Sequence, residues 1–314
     1  MSSELRFDGK VVLVTGAGGG LGAAHAKLLA QRGARVVVND IGGADSEAQQ
    51  GASAAGVVAE IEAAGGEAVA DTNNVATSEG GRAMVEHAVD HFGGLHAVVH
   101  NAGVGRPGFG FVDIPDEQLD LVLKTHLYGA FHVLRPAWRI MRAQGYGRVV
   151  NTASATALGV DDSWDYPAAK GGLVSLTRSL ALTGARYGIQ VNAIMPMAYT
   201  PMSAQLPSEE LRTWMERTFP AEQVSPTVAL LCHEDAPCSG EVFSVGAGRT
   251  ARVAYAVVPG FKTEAPTIEA VRENWDQVMD MDDLVIARSG AEDTMLFDVG
   301  FDEVGTTRMD AAKD

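Results

Sequence analysis

At 314 residues the chain is long enough for one large α/β domain or two small ones, and 46% apolar with 20% charged residues is ordinary for a globular protein. A formal net charge of −16 argues against nonspecific attachment to nucleic acid or an anionic membrane. Residues 264–314 carry 14 acidic against 4 basic side chains, so the body is only mildly acidic and its charge says little about a ligand.

No apolar run approaches the ~20 residues of a membrane span. At the start, Glu4, Arg6, Asp8 and Lys10 precede a short strand that ends in a glycine turn. This reads as mature protein, not a signal peptide, and a cytoplasmic location is expected. The only cysteines, Cys232 and Cys238, flank "HEDAP" with His233 as the one nearby partner. They read as ordinary thiols in a reducing compartment. The other histidines lack ligand spacing, and no metal is expected.

Taken in order, "KVVLVTGAGGGLGAAHAKLLAQRGARVVVND" gives strand, glycine turn, helix, glycine stop and strand. The strands are continuous and rich in β-branched residues, as when both faces are buried in a parallel sheet. A helix is expected over 48–64, ended by Gly65 and Gly66, then a strand over 67–71 and a helix over 78–92. "LHAVVHNAG" is another buried strand, followed by a long helix over 116–143 with a kink expected at Pro136. "GRVVNTAS", "IQVNAIMP" and "EVFSVGA" add three strands, with a helix over 167–187 between the first two. Seven strands alternating with helices predict an α/β, Rossmann-type doubly wound parallel sheet with helices on both faces. Residues 1–250 form this domain. Residues 251–314 are expected to be an extended C-terminal arm of the same domain, with one short helix over 267–279 and an acidic tail.

The first turn reads Thr15-Gly16-Ala17-Gly18-Gly19-Gly20-Leu21-Gly22. Glycine lets the backbone approach a pyrophosphate, and the following helix points free N–H groups at it. Gly16, Gly20, Leu21 and Gly22 are therefore cofactor candidates. Asp40, at the end of the second strand, can accept both ribose hydroxyls of an adenosine and would repel a 2′-phosphate. The expected cofactor is NAD, not NADP. The other reading of Asp40 is a turn former.

Tyr166 and Lys170 stand four residues apart, on one face of a helix that Pro167 can begin. A free tyrosine, with pKa about 10, is a poor base at neutral pH. A nearby cation lowers that value. Tyr166 is thus the expected acid/base and Lys170 the residue that tunes it.

With these pieces in family order, the sequence resembles the short-chain dehydrogenase/reductase family over about residues 7–250. The motifs are "TGAGGGLG", "NAG" at Asn101, Ala102 and Gly103, then Ser154, and Tyr166-x-x-x-Lys170. "VVVNDIGG", "THLYGAF", "YGRVVNTASA", "LCHE" and "GEVFSVGAG" look like members that oxidise (3R)-hydroxyacyl-CoA and also accept 17β-hydroxysteroids. The resemblance implies reversible hydride transfer between a secondary alcohol and a nicotinamide. Ser154 would hydrogen-bond the reacting oxygen, although it lies 12 residues before Tyr166, one fewer than usual, with Ser163 and Thr152 as rivals. Lys170 and Tyr166 would also hold the nicotinamide ribose. Asn101, Ala102 and Gly103 would meet the adenine ribose, Asn74 and Val75 the adenine, and Ala198, Tyr199 and Thr200 the carboxamide. "PMAYTPM" departs there from the family's proline-glycine start. His126 stands where most members have an asparagine whose backbone carbonyl helps hold a water leading to the lysine. Its side chain is either catalytic or an ordinary helix residue.

Phe109, Phe111, Trp164, Tyr199, Met202 and Leu206 suggest an apolar substrate pocket beside Ser154. Arg106, Arg249 and Arg252 are the few cations available to an acyl-CoA. The partner is thus a small molecule, an acyl-CoA or a steroid. A homodimer or homotetramer is expected through the long helices. Competing expectations are a 3-oxoacyl-carrier-protein or small-carbonyl reductase, and a non-catalytic nucleotide-binding scaffold.

Overall fold

The computed structural model describes residues 4–42, 53–105, 108–200 and 208–297. Those residues separate into two compact units, one ending at Arg252 and one beginning at Val253.

In the first unit β1 (Val11–Thr15), β2 (Arg35–Asn39), β3 (Glu67–Asp71), β4 (Ala97–His100), β5 (Gly147–Thr152), β6 (Ile189–Pro196), β7 (Val242–Gly246) and β8 (Arg249–Val253) form one sheet in the order β3-β2-β1-β4-β5-β6-β7-β8. The pairs from β3 through β7 are parallel. Alternate side chains leave each strand on opposite faces. Val12, Val14, Val36 and Val38 pack on one face with Leu29 and Leu231. Val11, Leu13, Val37 and Val98 pack on the other with Met84, Met141 and Leu173. This two-sided burial explains why the strands read as unbroken apolar runs.

The helices of this unit are α1 (Gly20–Gln31), α2 (Ala54–Ala63), α3 (Ser78–Phe92), α4 (Asp116–Leu123), α5 (Gly129–Gln144), α6 (Asp165–Gly184), α7 (Glu209–Thr218) and α8 (Ser225–Cys232). The helix expected over 48–64 starts at Ala54, because the Ser53 hydroxyl accepts from the Gly56 N–H at 3.0 Å and caps it; residues 48–52 lie outside the described residues. The long helix expected over 116–143 is not continuous. A π-turn at Lys124–Tyr128 joins α4 to α5, so the irregularity lies upstream of Pro136, which sits inside α5.

The sheet has eight strands where seven were expected. β8 follows β7 through a two-residue turn at Ala247 (φ 48°) and Gly248 (φ 74°), the geometry that folds a strand back on itself. At the opposite end of the sheet from the candidate site, the guanidinium of buried Arg148 donates to four carbonyls, those of Gly147 (2.9 Å), Gly188 (3.2 Å), His233 (3.0 Å) and Glu234 (3.0 Å).

The second unit holds α9 (Ile268–Glu273), α10 (Trp275–Val278) and α11 (Gly290–Met295), with Val257 bridged to Val285. The single helix expected over 267–279 is therefore a pair, broken at Asn274.

Candidate active site

Parallel strands bring their C-terminal ends to one edge, and a crevice opens where the strand order reverses between β1 and β4. The glycine turn leaves β1 here. Gly16 adopts φ +63°, and a Cβ on it would lie 2.6 Å from the Ala102 Cα. A Cβ on Gly18 would lie 2.8 Å from the Asp40 carboxyl carbon. Close approach, not only flexibility, requires these glycines. The Asp40 carboxylate accepts from the N–H of Gly18 and of Gly42, each at 3.0 Å, so it is fixed beside the turn.

Unlike α2 and α3, which are capped by Ser53 and Thr77, α1 starts at Gly19 with no side-chain cap. Its first N–H groups are therefore open to an anion. The turn, the uncapped helix and Asp40 fit an adenine dinucleotide.

Ser154 follows β5 and begins a short 3-10 turn, Ala155–Leu158, where its Oγ accepts from the Thr156 N–H at 3.2 Å. It borders the same cavity as Tyr166, and its hydroxyl favours the ionised form of that phenol. The shortened β5–α6 loop does not separate the two. Asp165 anchors its far end, accepting from Gln118 of α4 at 2.9 Å and from the Tyr166 N–H at 2.7 Å. Lys170 is buried, donates to the Thr152 carbonyl at 2.5 Å, and has its ammonium 5.4 Å from the Tyr166 ring centre.

Burial pushes the Tyr166 phenol above its usual value, and the Ser154 hydroxyl opposes this only in part. Burial also lowers Lys170 to about 7. In the protein alone burial, not the neighbouring amine, dominates the phenol. Near neutral pH the phenol is uncharged and Lys170 is close to its midpoint, so a further cation is needed to favour the phenolate.

His126 lies in the π-turn. Its buried ring touches Gly103 and stands edge-on to Tyr166, and its Nε2 lies 3.1 Å from the Val104 nitrogen and 2.9 Å from the Val104 oxygen, accepting from the first in one tautomer or donating to the second in the other. Its Nδ1 is buried without a protein partner. Burial first, then the charge of Lys170, holds its pKa well below the usual histidine value.

One cavity of about 400 Å³ gathers Gly16, Gly20, Leu21 and Asp40 with Ser154, Tyr166, Lys170 and His126. Asn101, Gly103, Ala198 and Thr200 also border it. Gly22, Asn74, Val75, Ala102 and Tyr199 do not, although Tyr199 lines the adjoining groove outside the glycine turn. Sequence reasoning missed Met197 and Met215 on the wall, and the acceptor role of the Thr152 backbone.

Phe109, Phe111 and Trp164 form a cluster, and none of the three borders the cavity. The Trp164 indole N–H donates to the Phe109 carbonyl at 3.0 Å and its ring meets Phe111 edge-on at 5.5 Å. Met202, Leu206 and Arg106 lie outside the described residues. Arg252 is engaged by Glu241 through two bonds of 2.7 and 2.8 Å, and Arg249 donates to Ser244 at 3.2 Å. Among the described residues, no helix is long and apolar enough to cross a membrane, and no group of three or more His, Cys, Asp or Glu side chains is arranged to hold a metal ion.

A phenol and an amine one helical turn apart, opening on the crevice of a doubly wound sheet, define an oxidoreductase of the α/β class. The chain belongs to the short-chain dehydrogenase/reductase family, whose model described as enoyl-(acyl carrier protein) reductase matches residues 16–250. It is 44% identical over 281 residues to a short-chain type dehydrogenase/reductase of Mycobacterium tuberculosis, covering 88% of this chain and 96% of that protein. It is 44% identical over 287 residues to peroxisomal multifunctional enzyme type 2 of Mus musculus, covering 89% of this chain and 38% of that protein. The chain thus spans well under half of that enzyme. The crystal structure of a short chain dehydrogenase from Mycobacterium avium superposes with a TM-score of 0.74 at 38% identity, covering 86% of this chain and 96% of that one.

Proposed function

We propose that the protein is an NAD-dependent dehydrogenase that interconverts a secondary alcohol and a ketone, acting on a 3-hydroxyacyl-CoA or a hydroxysteroid. The observation that carries this reading is the single cavity shared by Ser154, Tyr166 and Lys170 with the glycine turn and Asp40. Bound NAD supplies the hydride acceptor and a positive charge beside the phenol. Tyr166 takes the alcohol proton. Ser154 hydrogen-bonds the reacting oxygen and the phenol. Lys170 holds the nicotinamide ribose with Tyr166 and, when charged, favours the phenolate.

Gly16, Gly20, Leu21 and Gly22 bind the pyrophosphate, and Asp40 the adenine ribose. Asn101, Ala102 and Gly103 approach the same ribose, Asn74 and Val75 the adenine, and Ala198, Tyr199 and Thr200 the carboxamide. Trp164, Tyr199 and Phe109 shape the substrate end. Tyr128, Phe131 and Leu182, exposed on the π-turn, α5 and α6, support assembly into a homodimer or homotetramer. The free thiols Cys232 and Cys238 support a cytoplasmic site of action.

The test is reduction of NAD and of NADP with 3-hydroxybutyryl-CoA, longer 3-hydroxyacyl-CoAs and a 17β-hydroxysteroid. NAD is expected to be preferred, and Asp40→Ala to erase the preference. NAD binding without turnover of any alcohol would favour the scaffold reading instead. The description of the matching family model, enoyl-(acyl carrier protein) reductase, favours a second reading, reduction of a carrier-protein substrate, which predicts turnover of an enoyl or 3-oxoacyl carrier protein and none of the free alcohols.

A further inference from the structure

Thr15, His100 and His126 form a buried chain that links the base of the glycine turn to the π-turn. His100 is the last residue of β4 and is fully enclosed. Its Nε2 lies 3.0 Å from the His126 backbone carbonyl, and its Nδ1 lies 3.5 Å from the Thr15 Oγ1. A carbonyl can only accept, so Nε2 carries the hydrogen. Thr15 Oγ1 already accepts the N–H groups of Asn101 and Ala102, each at 3.0 Å. Its own hydrogen is therefore left to point at Nδ1. Each donor and acceptor along this line has one assignment. Burial lowers the His100 pKa to about 4, so the neutral ring persists at physiological pH.

The carbonyl that His100 holds belongs to the residue whose ring abuts Tyr166. A π-turn is a wide, irregular turn with looser backbone bonding than the helices beside it, and such turns recur at functional sites. We propose that His100 is a positioning residue: its Nε2–H pins the π-turn through the His126 carbonyl and so fixes the His126 ring against the catalytic phenol. This rests on the assignment of Tyr166 as the acid/base.

Two amide substitutions separate the two ends of the ring. A glutamine amide reaches roughly where Nε2 stands, an asparagine amide only where Nδ1 stands. His100→Gln therefore keeps the donor to His126, and His100→Asn keeps only a partner for Thr15. The expected result is that His100→Ala and His100→Asn lower kcat about tenfold or more, the loss of one well-placed interaction in the transition state, with little change in KM for NAD. His100→Gln stays within about threefold of the parent, well under one such interaction. Equal kcat for the glutamine and asparagine variants, or an unchanged kcat for the alanine variant, overturns the proposal.

A second measurement needs neither turnover nor a variant that folds well. The histidine side-chain ¹⁵N spectrum of the intact protein is expected to show His100 neutral and protonated on Nε2 at neutral pH. A ring protonated on Nδ1, or charged, overturns the proposal. If the intact protein oxidises no alcohol, the functional reading fails, and this spectrum still decides whether His100 holds the turn.

Discussion

The imidazole of His126 stands edge-on to the ring of Tyr166, with 5.1 Å between centroids and 89° between planes. This presents the positive ring edge to the negative π-face, an arrangement worth about 0.5–1.5 kcal/mol beyond burial. Gly103 packs against the same imidazole, since any side chain there would strike it. The phenol therefore has a firm wall. His126→Ala is expected to lower kcat about tenfold, because a small misplacement of a reacting group is costly, while NAD affinity holds. Steady-state kinetics across pH check this. Unchanged kcat and pH profile would leave the side chain no role.

Tyr166→Phe keeps the ring and removes the proton carrier. Alcohol oxidation is expected to fall roughly 10²–10⁴-fold, the range for a lost general acid/base. NAD binding, followed by fluorescence titration, is expected to survive. Full activity in this variant would move the acid/base role elsewhere.

Lys170 gives stability a defined pH dependence. Its pKa is about 7 in the fold and about 10.4 in an unfolded chain. Between these values the unfolded chain binds more protons, so this group makes stability rise with pH across that window. Below pH 7 both states are protonated and the cost of burying the ammonium is fully felt. Lys170→Met is expected to abolish this rise and to be the more stable form at pH 6. Urea midpoints of the two proteins from pH 6 to 9 measure the difference. Parallel curves would show that Lys170 is charged in the fold throughout.

Trp164→Phe retains an aromatic ring beside Phe111 but loses the bond to the Phe109 carbonyl. A net hydrogen bond of about 0.5–1.5 kcal/mol corresponds to a rise of roughly 2- to 12-fold in KM for the alcohol. KM for NAD is expected to stay constant. A change confined to NAD would mean that the clamp serves the cofactor end instead.

Much of the architecture was legible because it depends on local pattern. Strands buried on both faces read as apolar runs, and the glycines at 16 and 22 are demanded by close backbone contact and Gly18 by the Asp40 side chain. The spacing of Tyr166 and Lys170 is a property of one helix. Other features have no local signature. Lys124–Tyr128 carries the same residue types as the helices on either side, so the π-turn was invisible. β8 is a half-exposed edge strand with polar alternation, and it read as part of an arm. The acceptor for Lys170 is a backbone carbonyl, which residue identity cannot reveal. Burial of the phenol, which raises its pKa, depends on the tertiary fold and has no mark in the spacing of Tyr166 and Lys170. The cations offered for an acyl-CoA were judged by type alone, while in the fold Arg252 is taken by Glu241.

The Arg148 anchor has a consequence for synthesis. The central strand β5 carries a guanidinium whose acceptors lie up to 86 residues downstream, at His233 and Glu234. His233 in turn reaches back 227 residues to the carbonyl of Arg6. A chain leaving the ribosome therefore has its inner strands in hand long before it can seal them. Until residue 234 emerges, closing the sheet would bury a cation without its full set of acceptors, a cost of several kcal/mol. Completion of the fold is tied to arrival of the last helix of the unit. Fragments that stop short of α8 are expected to stay open to proteases and chaperones.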